Sequence, residues 1–282
     1  MKKLAIVAIG WHYPSAFYEV MAQQELPAGW GYELFVIGHR DPKYAIGEKR
    51  IAPSDDLLNY LDYKLYEKPV TLEFLEALHW TYVSGVSGCE WQGANLWLEK
   101  YNHTEYDTIV FCGDDALVIS NNLCADVLNG KCTLYNNIKR GDKWVVGITE
   151  DTNDWLVVSN ARQPRGLCIR GSFEFFKSEL ITAIGGKFDL STVTLDRRTE
   201  TSTPTDYNTL VNWNNHLGPF IQKMIELGLY DKIRFLSDNY RASDYIVECE
   251  RGLLSNMRTL ASDYIDKINE LHNLGKFNRF IS

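Results

Sequence analysis

The 282-residue chain has no uninterrupted apolar stretch near the roughly 18 residues that a membrane-spanning helix requires. Its opening, MKKLAIVAIGW, has a basic start, but the apolar run is short and passes into a strand-and-turn pattern. It reads as a first strand, not as a signal peptide. The six cysteines (Cys89, Cys112, Cys124, Cys132, Cys168 and Cys249) are dispersed and form no CxxC pair. That argues against a zinc site or a disulfide framework and for a reduced, cytoplasmic setting. Internal repeats and low-complexity linkers are also lacking, so no independent domain boundary is expected. With a net charge of -8 there is no general excess of basic residues for coating nucleic acid. What the chain has in quantity is aromatic surface, 8 Trp and 16 Tyr, suited to stacking on sugars or bases and equally to packing a core.

The order of elements predicts an α/β fold, a mostly parallel central sheet flanked by helices with a C-terminal helical extension. Leu4 to Ile9 is a buried strand stopped by Gly10, and Ser15 stands where it would cap a helix from Ala16 to about Gln24. Glu33 to Ile37 is a second strand, so the opening predicts a parallel pair joined by a right-handed crossover. Helical patterns follow over Ser54–Tyr66, Thr71–Val83 and Glu90–Lys100. Further on, the pattern gives a helix over Leu123–Leu128 and strands at Val145–Ile148 and Trp155–Val158. A helix over Phe173–Ile184 is closed by Gly185-Gly186, and another within Tyr207–Leu227 by Gly228. Ile233–Leu236 is a last short strand, and Met257, Leu260, Ala261, Tyr264, Ile268 and Leu271 keep helical spacing near the end.

The stretch Tyr106 to Ser120, YDTIVFCGDDALVIS, organises the rest. Ile109 to Cys112 reads as a fully buried strand, and it ends in Gly113-Asp114-Asp115. Adjacent carboxylates at the end of a buried strand are costly to desolvate and repel one another. A divalent cation resolves both problems, because hard carboxylate oxygens suit Mg²⁺ or Mn²⁺. In open α/β sheets ligands bind outside the carboxyl ends of the strands. The plain alternative is a turn whose Asp side chains cap the next helix.

Around that turn, Gly88 to Val118 (GCEWQGANLWLEKYNHTEYDTIVFCGDDALV) resembles the nucleotide-binding half of family 2-like glycosyltransferases with a GT-A fold. There a glycine-rich turn leads to a helix bearing an Asn, matched by Asn95, and on to a strand ending in a D-x-D-type motif, matched by Gly113-Asp114-Asp115. Gly113 replaces the first acid of the motif, and Ala94 replaces an Arg that often precedes the Asn. Gly171 to Asp189 (GSFEFFKSELITAIGGKFD) is similar to the acceptor-side segment of the same family, in which a small residue and an aromatic strand lead to a helix, two glycines and Phe-Asp. The opening, with its WHYP and GHR turns, looks like that of compact phage-encoded glycosyltransferases.

The resemblance implies a metal-dependent enzyme that moves a sugar from a nucleoside-diphosphate carrier, a UDP-sugar, to an acceptor hydroxyl with inversion. It implies a nucleotide-sugar-binding half over residues 1–120, an acceptor half over 121–236 and C-terminal helices over 237–282. Asp115 is expected on the cation (Mn²⁺ or Mg²⁺) and Asp114 on the cation or the ribose. The catalytic base is expected at Asp206, with Asp196 and Glu200 as rivals; a plain helix cap is the competing role for Asp206. Gly10, Trp11, His12, His39 and Arg40 follow the first two strands and are candidates to line the nucleotide, with Arg170 or Lys177 as further phosphate partners. Residues 131–198 carry eleven Lys or Arg against eight acids, within a chain of net charge -8. That bias, with Arg162, Arg165 and Arg170 clustered, admits an anionic acceptor such as DNA bearing hydroxymethylated bases, beside a glycan. The competing readings are a sugar-phosphate nucleotidyltransferase and a non-catalytic sugar-binding protein.

Overall fold

The computed structural model describes residues 1–10, 13–38, 68–85, 90–114, 116–118, 120–136, 142–146, 155–158, 173–190, 218–235 and 246–248. Eleven strands occur among them: β1 (Lys2–Gly10), β2 (Trp30–Gly38), β3 (Trp80–Ser84), β4 (Thr108–Gly113), β5 (Ala116–Val118), β6 (Cys132–Asn136), β7 (Asp142–Val146), β8 (Leu156–Val158), β9 (Phe173–Lys177), β10 (Ile233–Phe235) and β11 (Ile246–Glu248). The α-helices are α1 (Ser15–Met21), α2 (Leu72–Ala77), α3 (Glu90–Lys100), α4 (Leu123–Leu128), α5 (Ser178–Ala183) and α6 (Gly218–Glu226).

The main sheet has seven strands in the order β10-β8-β9-β4-β1-β2-β3. Every neighbouring pair is parallel except those made by β9, so β9 alone runs against the rest. Two small antiparallel pairs, β5 with β11 and β6 with β7, stand outside it. This is the expected mixed, mostly parallel α/β architecture. The long apolar runs of β1 and β4 form its centre because both faces of those strands are covered. Alternation along β1 sends Ala5, Val7 and Ile9 to one face, where they join Trp91, Ala94 and Trp97 of α3 together with Phe35, Phe111 and Phe176. The opposite face takes α1: Tyr18 meets Trp80 edge-on at 5.3 Å, and Phe17 lies 6.1 Å from Phe173. Each such fully buried side chain contributes about 1.5–3 kcal/mol through removal of apolar area from water.

Several expectations need correction. The helical pattern at Thr71–Val83 divides: Thr71 caps α2 by accepting the Phe74 N–H at 3.2 Å, and β3 begins at Trp80. His79, in the left-handed region with φ 63°, ends the helix, and the aromatic and β-branched run WTYVS suits a strand beside β2. Phe173–Ile184 likewise divides into β9 and α5, with Gly185 and Gly186 at φ 97° and 80° beyond the helix as expected. Ser15 does not cap α1; it is the first helical residue, and its hydroxyl accepts the Lys68 N–H at 3.2 Å while Pro14 holds the cap position. The helix also stops at Met21, which leaves Gln24 buried outside it to bridge Ser120 O and the Cys124 N–H. Strands β5, β6 and β11 are additions to the expected elements, and β11 corrects the expectation of helices over 237–282: Ile246-Val247-Glu248 pairs antiparallel with β5, which supplies the strand context that the sequence alone lacks. The patterns at Ser54–Tyr66 and Met257–Leu271 lie outside the described residues.

Candidate functional site at the carboxyl edge of the sheet

The sheet reverses its winding at β1. The chain passes from β1 to β2 and β3 on one side, then returns to place β4 on the other. α1 and α3 cover opposite faces, so the carboxyl ends of β1 and β4 lie at the topological switch point, the position at which open α/β sheets bind ligands. Ile9 pairs with Gly113, which brings Gly10 and Asp114 to this edge side by side. Gly10 is also in register with Gly38 of β2, and Gly38 with Ser84 of β3. Gly38 O accepts the Gly85 N–H at 2.8 Å. Four adjacent strands thus end at or beside a glycine.

Two of these glycines make room for a phenol. A Cβ on Gly10 would come within 2.8 Å of the Tyr13 ring, and one on Gly38 would run into the ring and hydroxyl of Tyr82. Tyr13 itself holds a left-handed backbone, φ 54°, a conformation that L side chains adopt rarely. Its N–H donates to Asp114 Oδ2 at 2.7 Å. The Tyr18 hydroxyl donates to the same oxygen at 3.0 Å, with the Tyr13 and Tyr18 rings stacked at 5.9 Å. Asp114 is 1% exposed. Burial first, and then the negative charge of Asp114, push the Tyr18 phenol well above its usual range, so Tyr18 stays a donor. Cys112, one residue before the turn, is also raised well above the ordinary thiol value by burial, and further by Cys124, Glu174 and Asp114.

Of the residues expected at the site, the structure brings Gly10 and Asp114 together. It gives Asn95 a different neighbour: the amide nitrogen donates to Phe188 O at 2.9 Å, and the oxygen accepts the Phe188 N–H at 2.8 Å. Lys177 does not reach this edge. It pairs with Thr108 at the opposite end of β4, roughly 20 Å along the strand from Asp114. Trp11, His12, His39, Arg40, Asp115, Arg170, Asp196, Glu200 and Asp206 lie outside the described residues. Among the described residues no group of three or more His, Cys, Asp or Glu is arranged to hold a metal ion. Asp114 offers a buried carboxylate with one oxygen already engaged by two protein donors. The described residues therefore do not make a cation site by themselves.

Neither Tyr18 nor Glu174 stands out in the sequence as a polar group of this edge. Glu174 is 4% exposed and faces Phe111 from β9, near the same end of β4. Its signal is a single acid inside the aromatic run FEFFK, which becomes legible only once that run is assigned to a strand. A carboxyl group buried in a strand is costly to desolvate.

No family model matches the sequence, and no curated protein matches it. Among solved structures, the chain is similar to a mannosyltransferase from Pyrobaculum calidifontis in complex with GDP-Man and Mn²⁺, at 15% identity and TM-score 0.37, over 67% of this chain and 48% of that one. It is similar to a Drosophila β1,4-galactosyltransferase 7 in complex with manganese, UDP-Gal and xylobiose, at 12% identity and TM-score 0.38, over 88% and 71%. A third likeness is to TarS of S. aureus in complex with UDP, at 11% identity and TM-score 0.40, over 87% and 60%. The chain thus spans less than two thirds of the first and third of these proteins.

Proposed function

We propose that the protein is a glycosyltransferase that moves a sugar from a nucleoside diphosphate, a UDP-sugar, to an acceptor hydroxyl. The observation that carries this reading is the placement of the acidic turn at the winding reversal. The acidic turn after β4 stands beside the glycine end of β1, in a sheet whose two central segments resemble family 2-like glycosyltransferases in sequence. Transfer forms a bond between the acceptor oxygen and the sugar's anomeric carbon while the bond to the diphosphate breaks. The electron pair leaves with the diphosphate, and the acceptor's proton passes to a base. Asp206 is the proposed base, and single displacement would invert the anomeric centre. Gly10, Trp11, His12, His39 and Arg40 are proposed to line the nucleotide. A divalent cation, Mn²⁺ or Mg²⁺, would rest on Asp115 and would supply positive charge against the departing diphosphate. The acceptor is proposed to be a glycan or a hydroxymethylated base in DNA, on the basic bias of residues 131–198.

Calorimetric titration with UDP, with and without Mn²⁺, followed by a panel of nucleotide sugars scored for slow hydrolysis, tests the reading. Metal-dependent UDP binding that is lost in Asp115→Asn is the expected result. Failure of the wild-type protein to bind any nucleoside diphosphate would overturn it.

A further inference from the structure

We propose that Asp114 is a positioning residue that latches the chain after β1 to the end of β4, and that it does not ligate a cation. This deepens the glycosyltransferase reading and rests on it for the identity of the ligand. The inference starts from the two acids of the turn, of which the sequence reading puts Asp115 on the cation and Asp114 on the cation or the ribose. Asp114 is turned into the protein: it is 1% exposed, and two donors converge on its Oδ2, the Tyr13 N–H at 2.7 Å and the Tyr18 hydroxyl at 3.0 Å. The donors come from the end of the β1–α1 connection and from α1, so one carboxylate ties both to β4. A cation approaching the same oxygen would have to displace two charge-assisted bonds in a buried setting.

The bond to Tyr13 also accounts for a strained backbone. Tyr13 has φ 54°, and its ring lies where a Cβ on Gly10 would stand, within 2.8 Å. Such a conformation persists only when its surroundings over-determine it. Here the Asp114 carboxylate fixes the N–H, the absent Gly10 side chain leaves space for the ring, and Tyr18 stacks on it at 5.9 Å. The two-residue step Trp11-His12 is thereby bounded by Gly10 at one end and by the latched Tyr13 N–H at the other. Because Gly10 stands beside the acidic turn, the latch holds the chain that leaves β1 against the end of β4.

The test uses the full chain. Mn²⁺ binding is followed directly by the paramagnetic resonance signal of the free ion for wild type, Asp114→Asn and Asp115→Asn. The amide in Asp114→Asn keeps an oxygen acceptor but removes the charge that a cation needs. Mn²⁺ affinity should stay within about threefold of wild type in Asp114→Asn and fall by about tenfold or more in Asp115→Asn. Tyr18→Phe removes one donor without touching any ligand, and should weaken UDP by about threefold to tenfold at unchanged Mn²⁺ affinity. A purely structural role would lower its melting temperature and leave UDP affinity alone. A double-mutant cycle of Tyr18→Phe with Asp114→Asn in thermal unfolding should be non-additive. Loss of Mn²⁺ in Asp114→Asn to the extent seen in Asp115→Asn, or unchanged UDP affinity in Tyr18→Phe, would overturn the proposal. Should the wild-type protein bind neither UDP nor Mn²⁺, the glycosyltransferase reading fails on its own. The cycle then decides the latch: coupling supports it, and additivity removes it.

Discussion

Asn95 and Phe188 are joined by a reciprocal pair of hydrogen bonds, side-chain amide to backbone in both directions, at 2.9 and 2.8 Å. Asn95 belongs to α3 and Phe188 to the chain beyond Gly185-Gly186, so the pair fastens the two segments that carry the family resemblance to each other. Phe188 is in turn 2% exposed and packs on Trp91 at 4.6 Å and on Phe176 at 5.5 Å. The clamp therefore holds a core aromatic as well as a loop. Asn95→Leu, similar in volume but without hydrogen-bonding capacity, strands both backbone groups and should cost about 1–3 kcal/mol in chemical denaturation. Asn95→Asp retains the acceptor for the Phe188 N–H but, when ionised, sets a second acceptor against Phe188 O, so its cost should fall on acidification while that of Asn95→Leu should not. Equal losses for the two variants at every pH would mean that the bonds do not carry the effect.

Gly10 makes a second, sharper prediction. A methyl group there would collide with the Tyr13 ring, so Gly10→Ala should destabilise the fold by about 1–3 kcal/mol through overpacking. The obstacle is one side chain, which gives the prediction an internal control. In a Tyr13→Ala background the same substitution should cost much less, measured as a difference of denaturation midpoints at constant slope. A Gly10→Ala cost that is the same in both backgrounds would point to the backbone of β1 and away from the ring.

The elements legible in the sequence are those whose signal is local. β1 and β4 are continuous apolar runs ended by glycine, and α3, α4 and the glycine closures after α5 and α6 follow standard spacing. Trp80–Ser84 and Phe173–Lys177 were assignable to helix because a short run of apolar and aromatic residues carries no decisive period. In both, the preference for a strand is supplied by the neighbour: β2 for one, β4 and β8 for the other. The resemblance itself gives a strand for the second segment, against the helical period, and the structure agrees with the resemblance. At the site, the acidic turn and Gly10 were legible as a carboxyl-edge feature. The partners of Asp114 lie 96 and 101 residues away in the chain, so the inward turn of Asp114 has no local signature.

Trp97 tests the aromatic core under α3. It is fully buried and touches Phe35, Tyr101, Tyr106 and Phe111 with ring separations of 5.5 to 6.0 Å. Its indole N–H has no hydrogen-bond partner among the described residues. Trp97→Ala leaves a large cavity and should cost about 3–5 kcal/mol. Trp97→Phe leaves a smaller one and also removes a buried donor without a partner, so its cost should remain below about 2 kcal/mol. Thermal unfolding of the two variants, with the Phe form as costly as the Ala form, would show that the indole nitrogen is engaged after all.

Acid sensitivity should concentrate at the amino end of the sheet. Glu33 accepts from the Lys3 ammonium at 2.8 Å through one oxygen and from the Tyr106 hydroxyl at 2.5 Å through the other. These bonds, Lys3 first and Tyr106 next, lower the Glu33 carboxyl below its ordinary value of 4.5. A carboxyl whose folded value is depressed binds protons more readily when the chain is unfolded. Its stabilising contribution is therefore complete above the unfolded value and is lost as pH falls through the folded one. Because the pair is largely solvent-exposed, salt should weaken the contribution. Glu33→Gln removes the titrating group while keeping an acceptor for Tyr106. The difference in stability between wild type and Glu33→Gln should be constant above about pH 6 and should shrink on acidification below about pH 5. It should also diminish in high salt at neutral pH. A difference that held steady from neutral pH down to about pH 3 would assign the effect to packing and not to charge.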